Sequence, residues 1–581
     1  MSGTATVIVA SVSTSADQAR EVQRVREALA GGAPVVVRAD GLIVADAALA
    51  PVSQDPFAPT ALLVRPAGRD GDVRVRHHVV TSAGSSWHGV TAPDHRSVGA
   101  LVIAPRDAAA AATALDDLER ALGDGSITGN GRDTVELIAV ALVRSGLSVR
   151  AIDMVDVPWA RDPHDVAAAR AAATSVPDDR IARLQANRLD DGFYSTFVVR
   201  RLSKPLTRIA LRLGLSPNTV TLVSFAIGLA AAGSFALGNR WALVLGAVLL
   251  QLSLIVDCVD GEVARATRRF TALGAWLDAS TDRVKEFLAY AGLAFGASRA
   301  GVSLWWIAIV LVVLQTTRHM TDYDFSRVQR LREAYVAPLP LAQRDDGAGD
   351  RAAGWSVAGA MELSTRMNRR DAVRWAKRAL HMPIGERWLV ISVLAAVAGA
   401  AWALGGLLVL VIIALAYVLV GRTLRTLTWR GPTPSAGAMF LHRQADSGPV
   451  LSVLSVLSAR RGLWEARFGW AIPALLRLIE LGVAAVLVLA IGGPAVTIGF
   501  WWLAVVAFHH YDTLYRAMQD TAPPRWLTWA ALGWDGRTIL VIVLTLVGVL
   551  AIGLTWATPL LALLVVLVAS VQWLLMQGRA R

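Results

Sequence analysis

Cysteine is nearly missing from this chain: Cys258 is the single one in 581 residues. An internal disulfide is excluded, and the redox compartment is left unspecified. Charge is scarce too. Asp, Glu, Lys and Arg make up 18% of the residues against 54% hydrophobic, and the mean hydropathy is +0.48. That balance excludes an ordinary soluble enzyme and calls for several membrane spans. Acidic residues are the scarcer sign, 45 against 57 basic, which leaves a net charge of +12. In a membrane chain such an excess belongs in cytoplasmic loops and beside anionic headgroups, not on nucleic acid. A signal-peptide pattern is also lacking, because "MSGTATVIVASVSTSADQ" has no basic stretch followed by an apolar one. The first part of the chain is therefore expected to stay in the cytoplasm.

What is present divides into three parts. Residues 1–185 alternate short β-branched runs ("TVIVASV", "APVVVRADGLIVA", "ALLVRP", "VGALVIAP") with helix-like stretches such as "AAAAATALDDLERAL". That texture predicts a cytosolic α/β domain with a mainly parallel sheet. From 191 to 214 the chain is basic and amphipathic, and reads as an interfacial helix with Arg200, Arg201, Lys204 and Arg208 toward lipid phosphates. Apolar runs near 216–238, 241–258, 271–297, 303–317, 387–403 and 405–420 make six expected spans, and the second part closes at about 425. Four more spans, near 470–491, 494–510, 537–554 and 557–576, belong to a third part, 426–581. Arginine-rich stretches at 318–386 and 421–469 and the terminal "QGRAR" fall on the same side as the N-terminal domain, the cytoplasm by the positive-inside rule.

The unusual stretch is "LIVDCVDGEVARATRRFTALGAWLDASTDR". Asp257 and Asp260 share a face of the second span, as do Asp278 and Asp282 of the third. The "RATRRFT" connection makes those helices antiparallel neighbours, so the four carboxylates converge. A carboxylate in lipid costs several kcal/mol unless neutralised, and four cannot all ionise side by side without a cation. All-oxygen ligation without histidine or thiol suits Mg²⁺ or Mn²⁺ (or Ca²⁺) and not zinc. Gly261, Ala264 and Gly274 leave room for a ligand against the helix backbones, and Arg265 offers a fork for phosphate. A structural charge network or a cation path through the membrane would also use intramembrane carboxylates. A metal-ion transporter, however, would spread them through several spans, whereas these gather at one membrane face.

At these residues the chain resembles the CDP-alcohol phosphatidyltransferase family, whose signature is D-x2-D-G-x2-A-R-x8-G-x3-D-x3-D. Asp257, Asp260, Gly261, Ala264, Arg265, Gly274, Asp278 and Asp282 fit it with every spacing kept. The "LSPNTVT" opening of the first span, with Asn218 and Thr221, is similar to the family's start. The resemblance implies a multi-span α-helical membrane protein: a six-helix core, here with about four extra spans and the N-terminal α/β domain. It implies metal ligation by Asp257, Asp260, Asp278 and Asp282, with Asp282 also the base that takes the acceptor's proton. It places the nucleotide near Asn218, Thr221, Gly261, Ala264, Arg265 and Gly274. The donor would be CDP-diacylglycerol or a CDP-polyol, the acceptor an alcohol or a polyol phosphate such as inositol phosphate or glycerol phosphate, and the leaving group CMP. Membrane lipids are partners, a homodimer is a family expectation, and the setting is the plasma membrane with the active site cytoplasmic. A catalytically inactive scaffold would be expected to have lost a signature residue, and none is lost.

Beyond the signature, Arg318, Arg327 and Arg387 are candidates for an acceptor phosphate, with positive-inside anchoring as the plainer alternative. The N-terminal domain resembles the cytidylyltransferase-like domains fused to some family members, through "VVVRADGLIVAD" and "VPWARDPHDVAAARAA". A glycine-rich loop is not there: "VASVSTSADQAR" stands in its place, so backbone amides to cradle a triphosphate are missing and a degenerate regulatory or scaffolding domain is expected. Asp40, Asp46 and Asp162 could hold a metal, although aspartates at strand ends are commonly turn formers. His509, His510, Asp512, Arg516, Asp535 and Arg537 are expected to pair with one another, and Trp501, Trp502, Trp526 and Trp529 to sit in interfacial belts. Cys258 reads as packing.

Overall fold

The computed structural model describes residues 5–10, 14–45, 48–49, 59–67, 70–76, 78–154, 157–175, 192–267, 271–334, 339–343, 380–429, 431–450, 461–519 and 521–579. In the N-terminal part the elements run β1 (Thr6–Ala10), α1 (Ser15–Leu29), β2 (Val35–Ala39), β3 (Leu42–Val44), β4 (Ala61–Pro66), β5 (Val73–Arg76), β6 (Val79–Ala83) and β7 (His95–Ile103). They continue with α2 (Ala108–Gly123), α3 (Thr134–Arg144), β8 (Arg150–Asp153), β9 (Trp159–Arg161) and α4 (Val166–Ser175). Seven strands form one sheet in the order β1-β2-β7-β4-β8-β6-β5, and β3 pairs with β9 in a second.

The sheet corrects one expectation. It is mixed, not mainly parallel: β1–β2 and β4–β8 are parallel, while β7 runs antiparallel to both β2 and β4. Alternating texture reports that strands exist but not which way they run. The short turn through His78, a non-glycine residue at φ 60°, folds β5 and β6 into a hairpin, which no helical crossover could do. Arg144, buried at the end of α3, donates to the carbonyls of Pro340 and Leu341 at 2.9 and 3.1 Å. The His88 ring Nε2 lies 2.7 Å from the Leu341 carbonyl. The α/β domain thus grips the chain just beyond the fourth membrane helix.

The membrane part opens with a short π-helical turn (Ser195–Val199) and α5 (Arg200–Arg212), then α6 (Pro217–Leu237), α7 (Arg240–Thr267), α8 (Ala272–Arg299), α9 (Trp305–Ala334), α10 (Ile384–Ala398) and α11 (Ala400–Leu427). After α12 (Ser435–His442) and α13 (Arg461–Glu465) come α14 (Ala471–Ile491), α15 (Pro494–Met518), α16 (Arg525–Ala530), α17 (Gly533–Leu546) and α18 (Leu550–Arg579). Helices stand at all ten expected spans. Among the described residues six segments are long and apolar enough to cross a membrane by length and composition alone: α6, α7, α11, α14, α16 with α17 (Arg525–Leu546), and α18. Helices α8, α9 and α15 carry buried charges instead, and α10 has 15 residues.

Close helix approach explains the glycines in the core. A Cβ at Gly292 would strike the Ala232 carbonyl, and one at Gly296 would strike that of Phe235, so α6 and α8 meet backbone to backbone. Without water to drive association, such small-residue contacts are how membrane helices gain packing energy. Helix α5 is only partly interfacial. Arg201, Lys204 and Arg208 are exposed, whereas Arg200 departs from the expectation and pairs with Glu262 at 3.0 Å. Ser203 and Thr207 also donate to Glu262, anchoring α5 to α7. Trp501, Trp526 and Trp529 are exposed as a belt requires, but Trp502 is 3% exposed and belongs to the core.

Candidate active site

The signature aspartates sit on the facing C-terminal half of α7 and N-terminal half of α8. Asp257, Asp278 and Asp282 each offer a carboxylate oxygen, and these lie within 4.8 Å of one another. Asp260 is not part of that trio. Its Oδ2 accepts from the Thr221 hydroxyl at 2.5 Å, tying the opening of α6 to α7. Thr271 caps α8, its Oγ1 accepting from the Gly274 amide at 2.9 Å. A Cβ at Gly274 would come within 2.9 Å of Asn218 Oδ1, and one at Gly261 within 3.1 Å of the Arg265 guanidinium. The predicted nucleotide residues therefore fall into close pairs across α6, α7 and α8, with side-chain-free backbone between them.

A residue that the sequence reasoning missed stands at the centre. Lys285 is fully buried and its Nζ lies 2.6 Å from Asp257 Oδ1, 3.0 Å from Asp282 Oδ1 and 2.9 Å from Ser224 Oγ. Ser224 also donates to Asp257 at 3.1 Å. The lysine stem lies against Gly228, where a Cβ would approach its Cγ and Cδ to 2.7 Å, and its ammonium is 5.2 Å from the Trp388 ring centroid. The signal was available: a lysine inside a span, three residues after Asp282 and seven after Asp278, lies on their face.

The arginines expected at an acceptor phosphate are placed otherwise. Arg387, 1% exposed, grips Glu286 through Nε at 2.8 Å and Nη2 at 3.1 Å, and donates to the Met382 carbonyl at 2.8 Å. Arg318, equally buried, donates to Gln315 and to the carbonyls of His381 and Met382. Both serve Glu286 or the backbone, so a phosphate contact at either would break a buried pairing, and the pair is no acceptor pocket in this state. The partner that decides this, Glu286, lies about 100 positions from Arg387 in the chain, beyond the reach of any local pattern. Arg327 is half-buried, 5.9 Å from the Phe440 ring centroid, and its Nε is buried without a hydrogen-bond partner.

In the N-terminal domain Asp40 and Asp162 line a cleft of about 700 Å³ with Asp17, Arg20, Glu21, Arg24, Arg132 and Arg161. Asp162 holds φ 47°, packed where a Cβ on Gly41 would stand. Asp46 lies outside the described residues. In the C-terminal part the expected pairings are present, with two carboxylates not foreseen. Asp446 receives Arg537 at 2.6 Å and His509 at 3.1 Å. Glu480 receives Arg537 and His510, each at 2.6 Å.

Facing membrane helices that pool carboxylates beside a glycine-lined, arginine-flanked gap define a membrane enzyme acting on a phosphate-bearing substrate. Residues 215–341 match the family model CDP-alcohol phosphatidyltransferase, and residues 447–581 match a family of unknown function, DUF5941. The chain is 30% identical over 149 residues to an archaetidylinositol phosphate synthase of Pyrococcus horikoshii, covering 25% of this chain and 73% of that protein. It is 34% identical over 130 residues to a phosphatidylinositol phosphate synthase of Mycolicibacterium smegmatis, covering 22% of this chain and 57% of the relative. It is 34% identical over 140 residues to a bifunctional IPC transferase and DIPP synthase of Aquifex aeolicus, covering 23% of this chain and 31% of the relative. A crystal structure of the Mycobacterium tuberculosis phosphatidylinositol phosphate synthase with manganese and citrate covers 38% of this chain and 87% of its own at 20% identity. Its TM-score is 0.24, too loose an overlap to transfer geometry. The chain belongs to the CDP-alcohol phosphatidyltransferase family. It is a multi-pass membrane transferase of that class, with an N-terminal α/β domain and a C-terminal helical region added to the core.

Proposed function

We propose that the core transfers a phosphatidyl or phospho-alcohol group from a CDP-linked donor to a polyol phosphate and releases CMP, in phospholipid biosynthesis. The observation that carries this is the convergence of Asp257, Asp278 and Asp282 beside the Asn218–Gly274 and Gly261–Arg265 contacts. The oxygen-only donor set fits Mg²⁺ or Mn²⁺, and Asp257, Asp278 and Asp282 would hold it, with Asp260 joining by releasing Thr221. Bound there, the ion would offset charge developing on the diphosphate. Arg265 orients a donor phosphate, and Asn218, Thr221, Gly261, Ala264 and Gly274 frame the nucleotide. Asp282 takes the proton of the acceptor hydroxyl as its oxygen bonds to phosphorus, and the bond from that phosphorus to CMP breaks. Lys285 keeps Asp282 and Asp257 aligned between turnovers through charge-assisted hydrogen bonds.

The proposed domain limits are 1–185, 191–425 and 426–581. The arginine-rich stretches support a plasma-membrane orientation with the site facing the cytoplasm. Product analysis by mass spectrometry tests the reading: purified protein receives CDP-diacylglycerol or CDP-inositol with a panel of polyols, each with and without its phosphate. A phosphodiester product is expected with inositol phosphate or glycerol phosphate, and at least about tenfold less with the phosphate-free alcohols, because a buried site built for a charged group rejects analogues lacking it. Equal use of both would refute a phosphate-recognising acceptor site and leave Arg327 with an anchoring role.

A further inference from the structure

Helix α8 carries two stripes. Asp278, Asp282 and Lys285 form the one that faces α7. Trp276, Ala279, Arg283, Glu286 and Tyr290 form a second, about a third of a turn around the helix at about 100° per residue. The C-terminal region covers this second stripe. Trp276 stacks on Trp573 at 5.9 Å between centroids and 20° between planes. The Arg283 guanidinium lies 5.6 Å from the Tyr511 ring centroid. Tyr511 Oη is 2.6 Å from His319 Nδ1, and Arg283 Nη1 is 3.2 Å from the same nitrogen. Both can donate only when Nδ1 bears no proton, so the two contacts fix one tautomer of a buried ring. Arg283 Nη1 also reaches Glu286 at 3.0 Å, and Glu286 accepts from Tyr290 at 2.7 Å, Gln315 at 3.2 Å and Arg387 at 2.8 Å.

The two charged groups on this stripe, Arg283 and Glu286, are thus held from outside α8, and Lys285 is the residue next to Glu286. A helix pinned on one face by directional bonds cannot roll about its axis, and rolling would carry Asp282 and Lys285 away from Asp257. We propose that Tyr511, in the region of unknown function, is a positioning residue for the core's transfer reaction. Through His319 and Arg283 it sets the rotation of α8, and with it the alignment of Asp282 and Lys285 on Asp257. This rests on the reading of the core given above and assigns the added C-terminal helices a part in catalysis without contact to substrate.

The test uses the full-length protein in lipid nanodiscs. Y511F removes one hydroxyl without changing ring volume. Its kcat is expected to fall about tenfold or more, since small misalignments of reacting groups are costly, while KM for the CDP donor stays within about twofold. H319L should show the same split, and Y511F/H319L should fall no further than H319L alone, because both act through one contact. H319Q, whose amide oxygen can still accept from Tyr511 and Arg283, should recover most of the rate. Amide hydrogen exchange across 276–290 should rise alike in Y511F and H319L, a readout that holds whatever reaction the carboxylates perform. Wild-type kcat in Y511F, losses that multiply in the double variant, or unchanged exchange in α8 would each overturn the proposal. Should Y511F fail to accumulate, H319L against H319Q decides alone, and equal kcat and exchange in the two overturns it.

Discussion

Asparagine in place of Asp282 is expected to lower turnover by about a thousandfold or more while donor binding stays within a few-fold of the parent. A positioned general base contributes roughly 10²–10⁴ in rate, and an amide of the same shape cannot take a proton. Asp282 stands one helical turn from Asp278, its side chain 15% exposed and 3.0 Å from Lys285. That places it at the edge of the carboxylate cluster, where a hydroxyl could reach it. Asp282→Asn removes one charge from a site that keeps Asp257, Asp260 and Asp278, so the donor's diphosphate should still bind. Steady-state turnover and calorimetric donor binding on the same preparation separate the two effects. Undiminished turnover would take the base role from Asp282; loss of binding in step with turnover would make it chiefly a ligand.

The second large effect is on stability. Lys285→Met should destabilise the membrane core by about 3–5 kcal/mol in the presence of a chelator, the cost of leaving one partner of a buried pair uncompensated. Asp257 and Asp282 both rely on this ammonium, and Ser224 alone cannot replace it. Added Mg²⁺ or Mn²⁺ should restore much of the loss, because a divalent ion among the same oxygens supplies the missing positive charge. The parent protein, with its internal cation, should gain less. Unfolding midpoints of parent and variant, with chelator and with metal, provide the comparison. A variant as stable as the parent under chelation would mean that the carboxylates do not depend on Lys285; one that metal does not rescue would argue against ligation by those oxygens.

The signature aspartates and their glycines were legible in the sequence because the chemistry fixes both residue type and spacing on two antiparallel helices. The ten helical segments were legible because burial in lipid demands long apolar runs. Residues whose role depends on tertiary partners were not. Lys285 and Glu286 occur in "DRVKEF" as one more charged patch until the structure turns each onto a different neighbour. Arg387 and Arg318 looked like phosphate ligands for want of a visible partner; Glu286 and the carbonyls of 381 and 382 supply those partners from outside any local pattern. Strand direction in the N-terminal sheet was similarly hidden, since β7 is antiparallel to neighbours far from it in sequence. The pairing of Tyr511 with His319, 192 positions apart, leaves no local trace.

The most direct measurement is CMP release by purified protein given a CDP-linked donor and a polyol phosphate, followed alongside the phosphodiester product with divalent metal present and after chelation. Paired carboxylates on α7 and α8 predict CMP and product in equal amounts, both lost on chelation and both regained with Mg²⁺ or Mn²⁺. CMP release that continues undiminished without metal, or that is unchanged when Asp257 and Asp278 are both replaced by asparagine, would contradict the carboxylate cluster as the seat of the reaction.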